Sequence, residues 1–227
     1  MSINLPEDFR QNILQYLPEA WLDRYGNFLD EENFGRFHAN LIAMMIKGQS
    51  KDLLPQYKEE IHIDLKELLT QFRKLYATHQ TVEDFTREYA RLLTELPFIQ
   101  LLAVMGQRFT ESSATDETAL PPKKETLIKS CLLPYNIEIT QARRAWEKHL
   151  GRGHTDFWGA MEGNTAKKEK QVRKLVEHII EHATWWNVFF HYKHGLVYEI
   201  RIPNGNGIRW NREGSELIGF LEPFIES

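Results

Sequence analysis

The chain has 227 residues, 42% hydrophobic and 26% charged, with a formal net charge of −4. This is the composition of an ordinary folded soluble protein, long enough for one large domain or two small ones. A general electrostatic grip on nucleic acid normally rests on a basic footprint, so the acidic balance argues against nucleic acid as a partner.

Cys131 is the only cysteine, so neither a disulfide within the chain nor a cysteine-based zinc site is expected. Its apolar setting, Ser130-Cys131-Leu132-Leu133, suits an inert buried thiol in a reducing cytosol. The first residues have no basic start and no apolar run, and stretches such as Phe98 to Met105 are too short to span a membrane. A cytoplasmic protein with no membrane partner is the expectation.

Residues 6–109 read as an α-helical bundle. Pro6-Glu7-Asp8 and Pro18-Glu19-Ala20 place proline and acids where a first helical turn tolerates them. Phe34, Phe37, Leu41 and Met45 recur at helical spacing, and Lys47-Gly48 ends that helix. Ile61, Leu65, Leu68, Leu69, Phe72 and Leu75 form a second stripe. Gln80-Thr81-Val82-Glu83 resembles the entry to the next helix. The segment has no glycine-rich phosphate loop, and its histidines His38, His62 and His79 are isolated. Residues 110–124 are polar and nearly free of large apolar groups, so they read as a linker or mobile loop. The division is therefore 1–109, 110–124 and 125–227.

In the last segment Thr140 is placed to cap a helix that runs to about Leu150 and ends at Gly151-Arg152-Gly153-His154. A long helix is predicted from about Thr165 to Phe190. Three strands near 196–202, 207–211 and 217–222 then form an antiparallel meander. The fold class is α+β, with helices packed on this three-stranded sheet.

Leu196, Tyr198, Ile200 and Ile202 alternate with Val197, Glu199 and Arg201, which marks a half-buried strand. Matching apolar faces pairs Ile202 with Ile208 and Ile200 with Trp210, leaving Asn204-Gly205-Asn206 as the loop. Arg201 then faces Arg209 on the non-core side, with Glu199 one step along. Like charges in that position call for a carboxylate or a bound anion between them. Two readings follow: a structural Glu–Arg pair, or an anion or phosphate site with two guanidinium forks. The candidate ligand-binding residues are Arg201, Arg209, Glu199, Trp185, Trp210 and Asn187. His191 and His194, in the connection before the first strand, join Glu199 as candidate acid–base groups.

The long helix also contains His178-Ile179-Ile180-Glu181-His182, which matches the H-x-x-E-H spacing of inverted zinc peptidases. A third protein ligand is not indicated, and the core stripe leaves both histidines on the helix flank. A zinc hydrolase using His178, Glu181 and His182 is therefore the weakest reading, and no cofactor is expected.

Phe157-Trp158-Gly159, Trp186-Asn187, Tyr198-Glu199-Ile200-Arg201, Gly205 to Trp210 and Gly219-Phe220-Leu221-Glu222-Pro223 together resemble a family of soluble proteins without an assigned activity. The resemblance covers about residues 120–224 and implies a module without implying a reaction. Val197-Tyr198-Glu199-Ile200-Arg201, followed by Arg209, is also similar to the RelE/HigB-type toxin ribonucleases, which place helices before a meander. That similarity implies metal-independent phosphodiester cleavage by Glu199, His191, Arg201 and Arg209. The leading expectation is a cytosolic binding or interaction module for an anionic small molecule or protein, with the ribonuclease as the alternative.

Overall fold

The computed structural model describes residues 8–50, 52–78, 81–150 and 156–224. The starts and ends expected at Pro6-Glu7 and at Gly151 to His154, as well as His79, lie outside them. The chain forms two compact units. The first comprises Met1–Lys51, Ile61–Phe109 and Thr115–Leu120; the second comprises Asp52–Glu60, Thr110–Ala114 and Pro121–Ser227.

The first unit is helical: α1 Phe9–Asn12, α2 Glu19–Tyr25, α3 Glu31–Lys47, α4 Lys66–Thr78, α5 Val82–Glu95 and α6 Phe98–Val104. The stripe Phe34, Phe37, Leu41 and Met45 is buried, as its spacing requires. Thr81 caps α5 by accepting the Asp84 amide N–H at 3.1 Å. Aromatic rings fill the centre. Tyr89 meets Phe9 and Phe72 edge-on, each at 5.1 Å between centroids. Ile61 is not part of the α4 stripe; it is half-exposed and bridges Phe109 through its backbone.

The second unit is α+β. It carries α7 Lys124–Cys131, α8 Gln141–Leu150 and α9 Thr165–Glu181, followed by β1 Trp185–His191, β2 Gly195–Arg201, β3 Gly207–Asn211 and β4 Leu217–Leu221. The sheet is antiparallel in the order β1-β2-β3-β4, so it has four strands rather than the expected three. The extra strand is the end of the expected long helix. α9 stops at Glu181 because Trp185 to His191 pairs along its whole length with β2. The residues of this stretch, rich in tryptophan and phenylalanine, suit a pleated surface better than a helical turn. Thr140 caps α8 as expected, accepting the Arg143 N–H at 3.2 Å.

α7, α8 and α9 cover the sheet face that presents Trp186, Val188, Tyr198, Ile200, Ile208, Trp210 and Phe220, all of them buried. The opposite face presents Trp185, Asn187, Phe189 and His191 from β1, Val197, Glu199 and Arg201 from β2, and Arg209 from β3. Its β2 residues are expected on the non-core side of a half-buried strand. Instead Val197, Glu199 and Arg201 are as buried as their apolar neighbours. Residues 52–60 and Phe224 lie over part of it: Trp185 Nε1–H donates to Glu60 at 3.0 Å, and Tyr57 stacks on Phe224 at 4.3 Å.

Thr110 to Ala114, within the stretch expected as a linker, runs along β1. The Ala114 N–H donates to Val188 O and the Phe190 N–H to Ser112 O, both at 2.9 Å. Asp116 caps a 3-10 turn at Glu117–Ala119. The polar side chains in this stretch are engaged in hydrogen bonds, which composition alone does not distinguish from solvation.

Candidate functional site

The β2–β3 hairpin decides the geometry of the polar face. Its register pairs Ile200 with Ile208, Glu199 with Arg209 and Arg201 with Gly207. This is two residues away from the register that matched Ile202 to Ile208. A two-residue shift keeps every side chain on its own face, so the apolar pattern cannot distinguish the two registers. Electrostatics and sterics can. The observed register replaces an Arg–Arg pair with a Glu–Arg pair. It also sets Arg201 opposite a residue without a side chain. A Cβ on Gly207 would come within 2.8 Å of Arg201 Cγ and 2.1 Å of Ile200 O. The turn is completed by the Ile202 N–H donating to Asn206 O at 2.9 Å and by Gly205 at φ +89°, a conformation glycine adopts readily.

Glu199, 1% exposed, lies between the two arginines. Its Oε1 accepts from Arg201 Nε at 2.6 Å, and its Oε2 accepts from Arg209 Nε at 2.7 Å and lies 2.6 Å from Arg209 Nη2 as an ion pair. Arg201 is 4% exposed and gives Nη1 to two carbonyls, Gly205 O at 2.6 Å and Glu222 O at 2.7 Å. The Phe224 ring covers its guanidinium at 3.9 Å. Burial pulls the Arg201 pKa down, and Glu199 partly opposes this. The two arginines therefore do not form an open pair of forks. Arg201 is built into the fold, whereas the Arg209 side chain, 18% exposed, reaches the edge of the face beside the Phe189 ring.

His191 ends β1 on this same face, and His194 sits in the turn that follows. Their rings stack at 5.0 Å. The pKa of His191 is lowered, first by partial burial and then by the positive charges of Arg209 and His194. The Lys193 N–H donates to its Nδ1 at 3.3 Å, so the neutral ring carries its proton on Nε2. Asn187, fully buried in β1, lies opposite Glu199 and exchanges hydrogen bonds with the Ser113 hydroxyl at 2.8 and 3.0 Å. It is a strand residue, and its amide is held within the fold.

The remaining candidates are buried or lie elsewhere. Trp210 points the other way, fully buried in the helix-covered core. Trp185 does lie on the polar face, but it is buried and bonded to Glu60. His178 and His182 stack at 4.3 Å on the exposed flank of α9, where His182 Nδ1–H donates to the His178 carbonyl at 2.9 Å. Glu181 is exposed beside them. Among the described residues no group of three or more His, Cys, Asp or Glu is placed to hold a metal ion.

Sequence reasoning missed a second buried cluster at the other end of the sheet. His149 of α8 bonds through Nδ1 to Glu222 Oε1 at 2.7 Å and through Nε2 to Phe220 O at 3.0 Å, while Trp158 Nε1–H donates to the same Glu222 oxygen at 2.8 Å. The Trp158 ring stacks on Phe220 at 5.3 Å. Phe157-Trp158-Gly159 and Gly219 to Pro223 were singled out as motifs, but nothing in their spacing shows that they meet.

No helix among the described residues is long and apolar enough to cross a membrane. No curated protein and no solved structure matches the chain. The family model of the CdiA C-terminal tRNase toxin domain matches residues 128–222, from within α7 to just beyond β4. This match overturns two expectations: that the protein is a binding or interaction module, and that nucleic acid is not its partner. Net charge is a sum over the whole chain. It does not report an arginine and two histidines gathered by strand pairing at one edge of an otherwise acidic protein. The toxin-ribonuclease resemblance points the same way as the match. By sequence, this chain is similar over residues 128–222 to a family of tRNA-cleaving toxin domains.

Proposed function

We propose that the second unit is a ribonuclease that cleaves tRNA by transesterification, using its own side chains as base, acid and cation. The observation that carries this reading is the placement of His191, with its lowered pKa, on the same sheet face as Arg209, whose guanidinium Glu199 holds in place. The match to a tRNase toxin family supplies the substrate class.

In this reading the 2′-hydroxyl next to the scissile phosphate loses its proton to His191 as its oxygen attacks phosphorus. The P–O5′ bond breaks, and the departing 5′-oxygen takes a proton from His194. The products are a 2′,3′-cyclic phosphate and a 5′-hydroxyl. Arg209 donates to the phosphoryl oxygens as negative charge builds on them. The positive charge of His194 opposes protonation of His191, which suits His191 as the base. Acting through Nε2, His191 shifts its proton to Nδ1 and gives up the long bond from the Lys193 amide. Glu199 and Arg201 are positioning residues, because their polar atoms are committed to each other, to Arg209 and to backbone carbonyls. The substrate places the work of the protein in the cytosol.

Incubating purified protein with total tRNA, with and without chelator, and analysing the new ends tests the reading. Cyclic-phosphate and 5′-hydroxyl ends should form in both conditions. His191→Ala and Arg209→Ala should each slow cleavage by about 100-fold or more while leaving the circular dichroism spectrum unchanged. Absence of cleavage, or full activity in either variant, would refute it.

A further inference from the structure

The end of β1 and the turn to β2 read His191-Tyr192-Lys193-His194, four residues without an acid in a chain of net negative charge. Tyr192 stands out at its tip. It is 78% exposed, although a phenol ring of this size normally finds cover. Its ring lies against His191 at 4.9 Å and 29°, and His191 in turn lies against His194 at 5.0 Å and 30°. The three rings form a stack, and Tyr192 is one of its ends. The Lys193 ammonium sits 5.4 Å from the Tyr192 centroid. Among the described residues its ring contacts are with its turn neighbours His191 and Lys193.

We propose that Tyr192 is the platform of a nucleobase subsite, on which an unpaired base beside the scissile phosphate stacks. This deepens the ribonuclease reading and rests on it for the position of the phosphate. Three features select this ligand. Every nucleobase presents a π-face, and stacking on an exposed aromatic ring is the sequence-tolerant way proteins hold single strands. Lys193 and Arg209 flank the stack with positive charge, which suits the phosphates on either side of a base. The stack runs through His191, so a base on the outer face of Tyr192 lies one ring away from the imidazole that takes the 2′-proton. Unpaired loop bases of a folded RNA can splay out to reach such a ring, whereas bases within a helix cannot.

A short fluorescein-labelled single-stranded oligodeoxynucleotide is the probe. It lacks the 2′-hydroxyl and is not cut by this route, so anisotropy reads binding alone. Tyr192→Ala should weaken binding about tenfold, and Tyr192→Phe should bind within about twofold of the wild type. Neither change should move the thermal unfolding midpoint, because the ring is exposed. A probe with a single abasic position should lose affinity for the wild type but bind the Tyr192→Ala protein no more weakly than the intact probe does. Equal binding by Tyr192→Ala, or the same Tyr192→Ala loss on a wholly abasic probe, would overturn the subsite. The latter result would assign the exposed ring to something other than a base, such as a protein partner. The two readings fail separately. Cleavage with unchanged Tyr192→Ala binding keeps the reaction and removes the subsite. A Tyr192-dependent affinity without cleavage keeps a base platform and removes the reaction.

Discussion

Replacing Glu199 by glutamine tests the polar face as a physical object, independent of any activity. The carboxylate is 1% exposed and accepts from both Arg201 and Arg209 at 2.6–2.7 Å. Glutamine has nearly the same shape but removes the negative charge, and it turns an N–H₂ toward one of the guanidinium groups. Breaking a buried ion pair by neutralising one partner costs about 3–5 kcal/mol, because the charge left behind is uncompensated. Arg201, 4% exposed, bears most of that penalty, whereas Arg209, 18% exposed in its side chain, recovers part of it from water. A cost near about 3 kcal/mol is therefore expected. That is a large share of the about 5–15 kcal/mol that holds a typical domain folded. All tryptophans except Trp21 lie in the second unit, so fluorescence-detected urea unfolding reports mainly on it. Adding Arg201→Met to Glu199→Gln should then restore about 1 kcal/mol or more, because it removes the stranded charge and keeps the packing. A loss below about 1 kcal/mol for Glu199→Gln, or further destabilisation by the second change, would refute the picture of a buried cation held by that carboxylate.

Three other outcomes follow from particular residues. His191 has its pKa lowered below the ordinary histidine value of about 6.5, so its contribution to stability is present above that value. It is lost as pH falls through the lowered pKa. The acidic limb of the cleavage rate should share that midpoint below about 6.5, and His191→Gln should remove the limb. The Cys131 thiol is pushed up to about 12 by burial, so the native protein should not react with a thiol reagent at pH 8 and should react once unfolded in urea. Gly207→Ala places a methyl 2.1 Å from Ile200 O and should cost about 3 kcal/mol in the same unfolding assay. A near-neutral result would show that the hairpin can move away from the observed register.

Local pattern carried much of the architecture. The stripes of α3 and α4 and the caps at Thr81 and Thr140 each follow from spacing or side-chain chemistry within a few residues, and the chain shows them directly. β1 was concealed because Trp185 to Phe190 is apolar on both faces, and such a run reads equally well as the end of a helix. Its strand character comes from pairing with β2, a partner beyond the turn.

The candidate site divides the same way. Glu199, Arg201, Arg209, His191 and His194 were legible as a group of chemically capable residues near one another in the chain. Their roles were not. Two registers two residues apart satisfy the same face pattern, and only the close fit of Arg201 against Gly207 and the pairing of Glu199 with Arg209 separate them. Phe224 covers Arg201 and Tyr57 stacks on Phe224, and Tyr57 lies more than a hundred positions away in the sequence. The sequence by itself therefore determined the fold class and most helix positions, and it offered a set of chemically capable side chains, because those depend on short-range periodicity and side-chain type. Only the tertiary structure decided which arginine is enclosed and which reaches the edge, because burial and charge pairing are properties of segments brought together from across the chain.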